Sequence, residues 1–322
     1  MISKNTVTAC LLGLALAGPA AFAQQEQWPQ RAISIVVPSA PGGAADLTAR
    51  TLAHYLNQKH GMNVVVEDKP GAGGIIGTAA VRNAKPDGYS FLLSTNSTQA
   101  ANQFLYKSLP YDAQKDFVDV GLIGKFGTVA VVSPDSEVKV LKDLADKASA
   151  APGKVFFGYY SSSSQVPSAL FREYAGIKIE GAAYKNITQI LTDLRGRLID
   201  FAFVDYLTAM GQISGGNLKP VAVTGQDRSP AWPDVATTGE DYPGFVVEGW
   251  LGISAPAGTP DEIVRRMNAL IAEAVADPAT KEQYEKLGMQ PQSMAVDEFQ
   301  AFVREDVQRW KGWIDTAGIQ PQ

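Results

Sequence analysis

Ile33-Ser34-Ile35-Val36-Val37 runs directly into Pro38-Ser39-Ala40-Pro41-Gly42-Gly43-Ala44-Ala45-Asp46, and Leu47 to His60 follows with helical periodicity. An apolar strand, a small-residue loop and a helix in immediate succession make one unit of an α/β fold. Ala45, Ala49, Leu52, Ala53 and Leu56 recur at helical spacing and form the face to be buried, and Gly61 stands where a C-terminal cap glycine belongs. The first N–H groups of such a helix lack intrahelical partners and carry the positive end of its dipole. The loop from Ser39 to Asp46 is therefore a cradle for an anion such as a carboxylate.

The same rhythm continues along the chain. Asn63 to Glu67 reads as a strand, followed by Pro70-Gly71-Ala72-Gly73-Gly74 and a short helix through Asn83. Tyr89 to Leu93 is the next strand and ends in Ser94-Thr95-Asn96-Ser97-Thr98. These strands are nearly continuous apolar runs, which favours mostly parallel sheets covered on both faces. A second series follows Gly127: strands at 129–132, 155–159, 199–204 and 221–224, with helices at 138–148, 166–174 and 187–196 between them. Thr259-Pro260-Asp261-Glu262 predicts a helix start with a threonine cap. Phe299 to Ile314 predicts the closing helix. The expected architecture is α/β with two lobes, residues 24–126 plus 249–322 forming lobe 1 and 127–248 forming lobe 2. The C-terminal helices are expected to pack back on the first lobe, and a ligand to sit in the cleft between lobes.

Residues 1–23 read as a cleavable secretory signal: Lys4, an apolar run from Ala9 to Ala21, and Ala21-Phe22-Ala23 as the cleavage site. The only cysteine, Cys10, lies in that segment, so neither a disulfide nor a cysteine metal ligand is expected in the remainder. The expected location is the periplasm, and the expected state a monomer. A formal net charge of −5, with no basic block interleaved with aromatics, argues against a nucleic-acid partner.

Enzyme chemistry finds little support. The two histidines, His54 and His60, both fall on the helix after the first glycine loop, and no Gly-x-Ser-x-Gly elbow occurs. Two histidines six apart on one helix face different directions, so no metal site is expected. Gly71 to Gly77 departs from the dinucleotide fingerprint at its sixth position, Ile76, and no acid ends the next strand to hold a ribose. No catalytic residue and no cofactor are assigned. What remains is a set of strand-to-helix loops rich in Ser, Thr, Asn and Gly, placed where α/β sheets bind ligands. Ser161-Ser162-Ser163-Ser164 is the second-lobe counterpart of the first loop. Asp46 and Asp205 are the nearest acids, each readable as a helix cap or as a ligand acceptor. Tyr159, Tyr160, Tyr184 and Tyr206 lie close to the same loops.

These residues resemble a family: the Bug-type periplasmic solute-binding receptors of tripartite tricarboxylate transporters. The resemblance covers essentially the whole chain after the signal segment. It rests on Trp28-Pro29-Gln30-Arg31, Pro41-Gly42-Gly43 with Asp46, Val65-Val66-Glu67 before Pro70-Gly71-Ala72-Gly73-Gly74, and Pro86-Asp87-Gly88-Tyr89. Leu109-Pro110-Tyr111-Asp112, Arg228-Ser229-Pro230 with Pro233-Asp234-Val235, and Ala255 to Pro260 complete it. The resemblance implies a non-catalytic receptor that closes on a small carboxylate or dicarboxylate and delivers it to membrane permease subunits. One carboxyl group would fall to Ser39, Pro41, Gly42, Gly43 and Ala44, beside Asp46. Thr95, Asn96 and Ser97, with Ser162, Ser163 and Ser164, would line the rest of the pocket, and Asp205 and Tyr206 would face it from the second lobe. The second lobe departs from the family pattern at Tyr159-Tyr160 with four serines and at Ala183-Tyr184-Lys185-Asn186. The added tyrosines lean towards an aromatic acid. An exported enzyme acting on carboxylates and a sensor feeding a signalling partner are the rival readings.

Overall fold

The computed structural model describes residues 28–185 and 187–321; the candidate signal segment 1–23 lies outside them. The chain opens β1 (Ile33–Val37), α1 (Ala44–His60), β2 (Val64–Asp68), α2 (Ile75–Arg82), β3 (Ser90–Thr95), α3 (Asn102–Leu105) and β4 (Phe117–Val132). It continues α4 (Leu141–Ala150), β5 (Phe156–Tyr159), α5 (Ser162–Ala175), β6 (Glu180–Ala183), α6 (Ile187–Arg195), β7 (Ala202–Asp205), α7 (Tyr206–Ser214), β8 (Lys219–Val223) and α8 (Thr238–Asp241). It closes β9 (Glu248–Pro256), α9 (Asp261–Ala276), α10 (Pro278–Lys286), β10 (Gln290–Pro291) and α11 (Val296–Thr316).

β2, β1 and β3 pair in parallel, as their continuous apolar runs require. β9 then lies antiparallel to β3, and β4 antiparallel to β9, so the sheet is mixed beyond its parallel core. β4 is the pivotal element. It pairs with β9 from Phe117 to Gly127, then with β7 and β8 from Thr128 to Val132. One strand thus belongs to two sheets, and the fold has two lobes. Only residues 129–132 of it were legible as strand, because Gly121, Gly124 and Gly127 interrupt the apolar pattern before them. These glycines are filled from outside: Cβ atoms there would meet Asn268, Met289 and Tyr206.

Ile33, Ile35, Leu52, Leu56, Phe91 and Ile253 are fully buried between the first sheet and α1 and α9. In the second lobe Phe171, Phe201 and Phe203 fill one face of the sheet, and Ile190, Leu194 and Val204 the other. α11 does not stay on the first lobe. Phe299 and Val303 pack with Trp250 and Leu122, while Val307, Trp310 and Ile314 join the core formed by α5. Arg172 of α5 also donates to the Ala317 carbonyl at 2.6 Å. At 1.5 Å per residue, a helix of 21 residues is roughly 30 Å long, enough to span both lobes.

Two helix starts differ from expectation. α5 begins at Ser162, four residues earlier than its apolar periodicity suggests, because Ser161 and Ser164 cap it reciprocally. α9 begins at Asp261 with Pro260 before it; Thr259 donates its hydroxyl to the Pro256 carbonyl instead of capping.

The second glycine run proves to be a packing device. A Cβ on Gly77 would lie 2.8 Å from Pro38 Cα and 2.9 Å from the Lys69 carbonyl, and one on Gly74 would meet Thr98 and Pro38. Bare backbone there lets α2 press against the first loop. Gly77→Ala should therefore destabilise the protein by about 1–3 kcal/mol, although alanine is the better helix former. Urea unfolding measures this; an unchanged midpoint would show that the loop does not depend on the contact.

Candidate ligand-binding site

The first loop is built by Asp46. Its Oδ2 accepts the Gly42 N–H at 2.7 Å, and its Oδ1 lies 2.6 Å from Arg50 Nε. Arg50 also reaches Asp68 at 2.9 Å, tying the loop to the end of β2. Burial alone would raise the Asp46 pKa. Arg50 and the Gly42 N–H outweigh it and hold the carboxyl below its ordinary 3.8. Burial, then the neighbouring Asp46, pushes Asp68 the other way. Asp46 is thus committed within its own loop. Arg50 offsets its charge, so the positive end of α1 is not cancelled from behind.

The groups this leaves exposed in the loop are mostly backbone. Gly43 is the N-cap of α1 and supplies no side-chain cap. Pro41, Gly42 and Gly43 are exposed, and Ala44 is half-buried. The Ser39 hydroxyl is buried and has no hydrogen-bond partner. This combination — free first-turn N–H groups beside an unengaged hydroxyl — suits a carboxylate.

The other predicted residues divide by what they bond. Thr95 and Thr98 cap each other's backbone at 3.1 Å, which shapes the turn after β3. Asn96 is 1 % exposed; its amide donates to Ser163 Oγ at 3.4 Å and its oxygen accepts the Trp250 N–H at 3.4 Å. Ser97 Oγ lies 2.7 Å from Ser162 Oγ. Ser164 Oγ accepts the N–H groups of Tyr160 and Ser161 and belongs to the α5 cap. Asp205 caps α7, accepting the Thr208 N–H at 2.9 Å, the Thr208 hydroxyl at 3.0 Å and the Tyr160 hydroxyl at 2.8 Å.

The tyrosines are engaged in packing. Tyr206 is buried edge-on to Trp232 and rests against the backbones of Gly127 and Gly288. Tyr184 donates to Asp193 at 2.7 Å, with its own pKa pushed up to about 12 by burial and that carboxylate. Burial likewise raises Tyr160. Tyr159 lies against Phe157. Sequence reasoning missed Arg50, although its position four residues after Asp46 on a helix was a readable signal. It also missed the Tyr160–Asp205 bond, which no spacing announces.

His60 sits away from these loops, 3.0 Å from Glu273 and beside a cavity of about 520 Å³ that Trp28, Arg31 and Arg266 also line. Among the described residues no group of three or more His, Cys, Asp or Glu side chains is placed to hold a metal ion. No described helix is long and apolar enough to cross a membrane.

Two α/β lobes joined by crossing strands, with capped loops converging from both, define a solute-binding protein. The sequence model described as "Tripartite tricarboxylate transporter family receptor" matches residues 48–319, and the chain belongs to that family. It is 34% identical over 309 residues to Protein BugT of Bordetella pertussis, covering 95% of each chain. Among solved structures it is similar to R. palustris Rpa4515 with adipate, at TM-score 0.86 and 28% identity, covering 92% of this chain and 100% of that one. MatC from Rhodopseudomonas palustris with bound malate matches at TM-score 0.78 and 25% identity, covering 89% and 100%. The chain is accordingly a receptor and not an enzyme.

Asp46→Asn should cost about 1–3 kcal/mol near neutral pH by weakening the charge-assisted bonds to Arg50 and Gly42. Because the folded-state pKa lies below the unfolded value, the Asp46 contribution is present above about pH 4. It is lost as pH falls through the folded pKa. Unfolding midpoints of the two proteins should therefore converge on acidification; a gap that persists at pH 2–3 would contradict this origin.

Proposed function

We propose that this chain is a periplasmic receptor, exported through the signal segment 1–23, that captures a small aliphatic dicarboxylate. It hands the ligand to the membrane permease subunits of a tripartite tricarboxylate-type transporter. In this reading the lobes are 24–126 with 249–322, and 127–248. One carboxylate docks on Ser39 and the first-turn N–H groups of α1, with Pro41, Gly42, Gly43 and Ala44 forming the wall. The lobes close on the bound acid, removing water and strengthening its hydrogen bonds.

The observation that carries the reading is the open N-terminus of α1. Its acid is neutralised internally by Arg50 and its neighbouring hydroxyl, Ser39, is unengaged. The ligands bound in Rpa4515 and MatC, adipate and malate, are both dicarboxylates. An aliphatic acid is favoured over an aromatic one because the tyrosines that suggested the latter are bonded or packed within the protein.

A thermal-shift panel of mono-, di- and tricarboxylates, aliphatic and aromatic, tests this. A ligand at a hundredfold excess over its Kd should stabilise the protein by about 2.7 kcal/mol. Ser39→Ala should not lower the ligand-free melting temperature, since its buried hydroxyl bonds nothing in the protein, yet should weaken dicarboxylate binding about three- to tenfold. Stabilisation by sugars or amines alone would sink the proposal.

A further inference from the structure

We infer that Asn96, Ser97, Ser162 and Ser163 form a seam between the lobes that sets their relative angle and acts on the ligand through that angle, not by touching it. The inference rests on the receptor reading above. The turn after β3 belongs to the first lobe and the start of α5 to the second, and hydrogen bonds join them directly: Ser97 to Ser162 at 2.7 Å and Asn96 to Ser163 at 3.4 Å. Asn96 also accepts the N–H of Trp250, on the strand that crosses between lobes. Its oxygen would lie 3.0 Å from a Cβ on Gly249, so the missing side chain makes room for this junction. One amide therefore touches the cleft turn, the crossing strand and the second lobe.

The seam is partly buried: Asn96 is 1 % and Ser162 7 % exposed, Ser97 and Ser163 are half-buried, and the Ser97 and Ser162 hydroxyls are engaged with each other. Apolar packing backs it, with Ala100 and Ala101 after the turn sharing a core with Val166 and Leu170 of α5. Groups held this way are poor ligand contacts and good alignment pins. They orient the N-terminus of α5 relative to that of α1 before any ligand arrives. Only molecules with the lobes in the competent arrangement bind, so the apparent Kd is the intrinsic value divided by the competent fraction. Loosening the seam lowers that fraction equally for every ligand. A contact residue, in contrast, discriminates among ligands.

Ser97→Ala, Ser162→Ala and the double variant test the seam, with Ser162→Thr as the variant that keeps the hydroxyl. Cysteines introduced at the exposed positions His54 and Ala150 carry spin labels, and pulsed electron resonance reads the interlobe distance without ligand. Each alanine variant should shift or broaden that distance, the double variant should match the singles, and Ser162→Thr should restore it. Kd for adipate and for L-malate should rise by one common factor, about three- to tenfold. An unchanged distance with affinity lost for only one acid would make the serines ligand contacts and overturn the inference, as would unchanged distance and affinity. If neither acid binds the unaltered protein, the dicarboxylate reading fails while the ligand-free distances still decide the seam.

Discussion

The architecture depends on one strand serving two sheets. β4 holds β9 up to Gly127 and exchanges it for β7 and β8 at Thr128, without breaking its extended course. Backbone hydrogen bonds must be satisfied on both sides of that exchange, so the lobes cannot drift apart. β9 returns beside β4, and α11 reaches from the first core into the second. The loop after β3 is thereby brought against the one after β5, as the hydrogen bonds between residues 96–97 and 162–163 show.

Within that frame the charged and uncharged groups have separate tasks. The two acids nearest the loops, Asp46 and Asp205, each bond several donors of their own lobe. Each fixes a helix start. In the proposed reading, neutral donors are left for an anion: first-turn N–H groups and the Ser39 hydroxyl, which has no partner in the protein. Such donors are already oriented and cost little reorganisation on binding. Arg50 matters here because an uncompensated carboxylate in the first turn of α1 would repel any anion at that helix end.

Much of this was legible in the sequence, for identifiable reasons. The β1–loop–α1 unit declares itself because strand, small residues and helical period follow without interruption. Local capping was legible at Gly61, but not at Thr259, whose hydroxyl turns to the Pro256 carbonyl instead of capping. The first half of β4 was not, because its glycines are compensated by side chains from far along the chain, Asn268, Met289 and Tyr206. The roles of the tyrosines were hidden for the same reason. Tyr160 meets Asp205 across 45 residues, and only folding reveals that its hydroxyl is already engaged. The strand–loop–helix pattern placed the loops on helix N-termini, as at Ala44 and Ser162, and the family resemblance added ligand roles to them. It had no means of separating residues that build the loops from residues that face a ligand.

The central claim is that a carboxylate docks on the open end of α1. Amide proton and nitrogen shifts of Gly43, Ala44 and Ala45, followed by NMR during titration with a dicarboxylate, test it most directly. The account predicts large, saturable downfield proton shifts at these amides, with a Kd matching that from calorimetry. Saturable binding that leaves these amides unmoved, while shifts gather elsewhere in the protein, would contradict it.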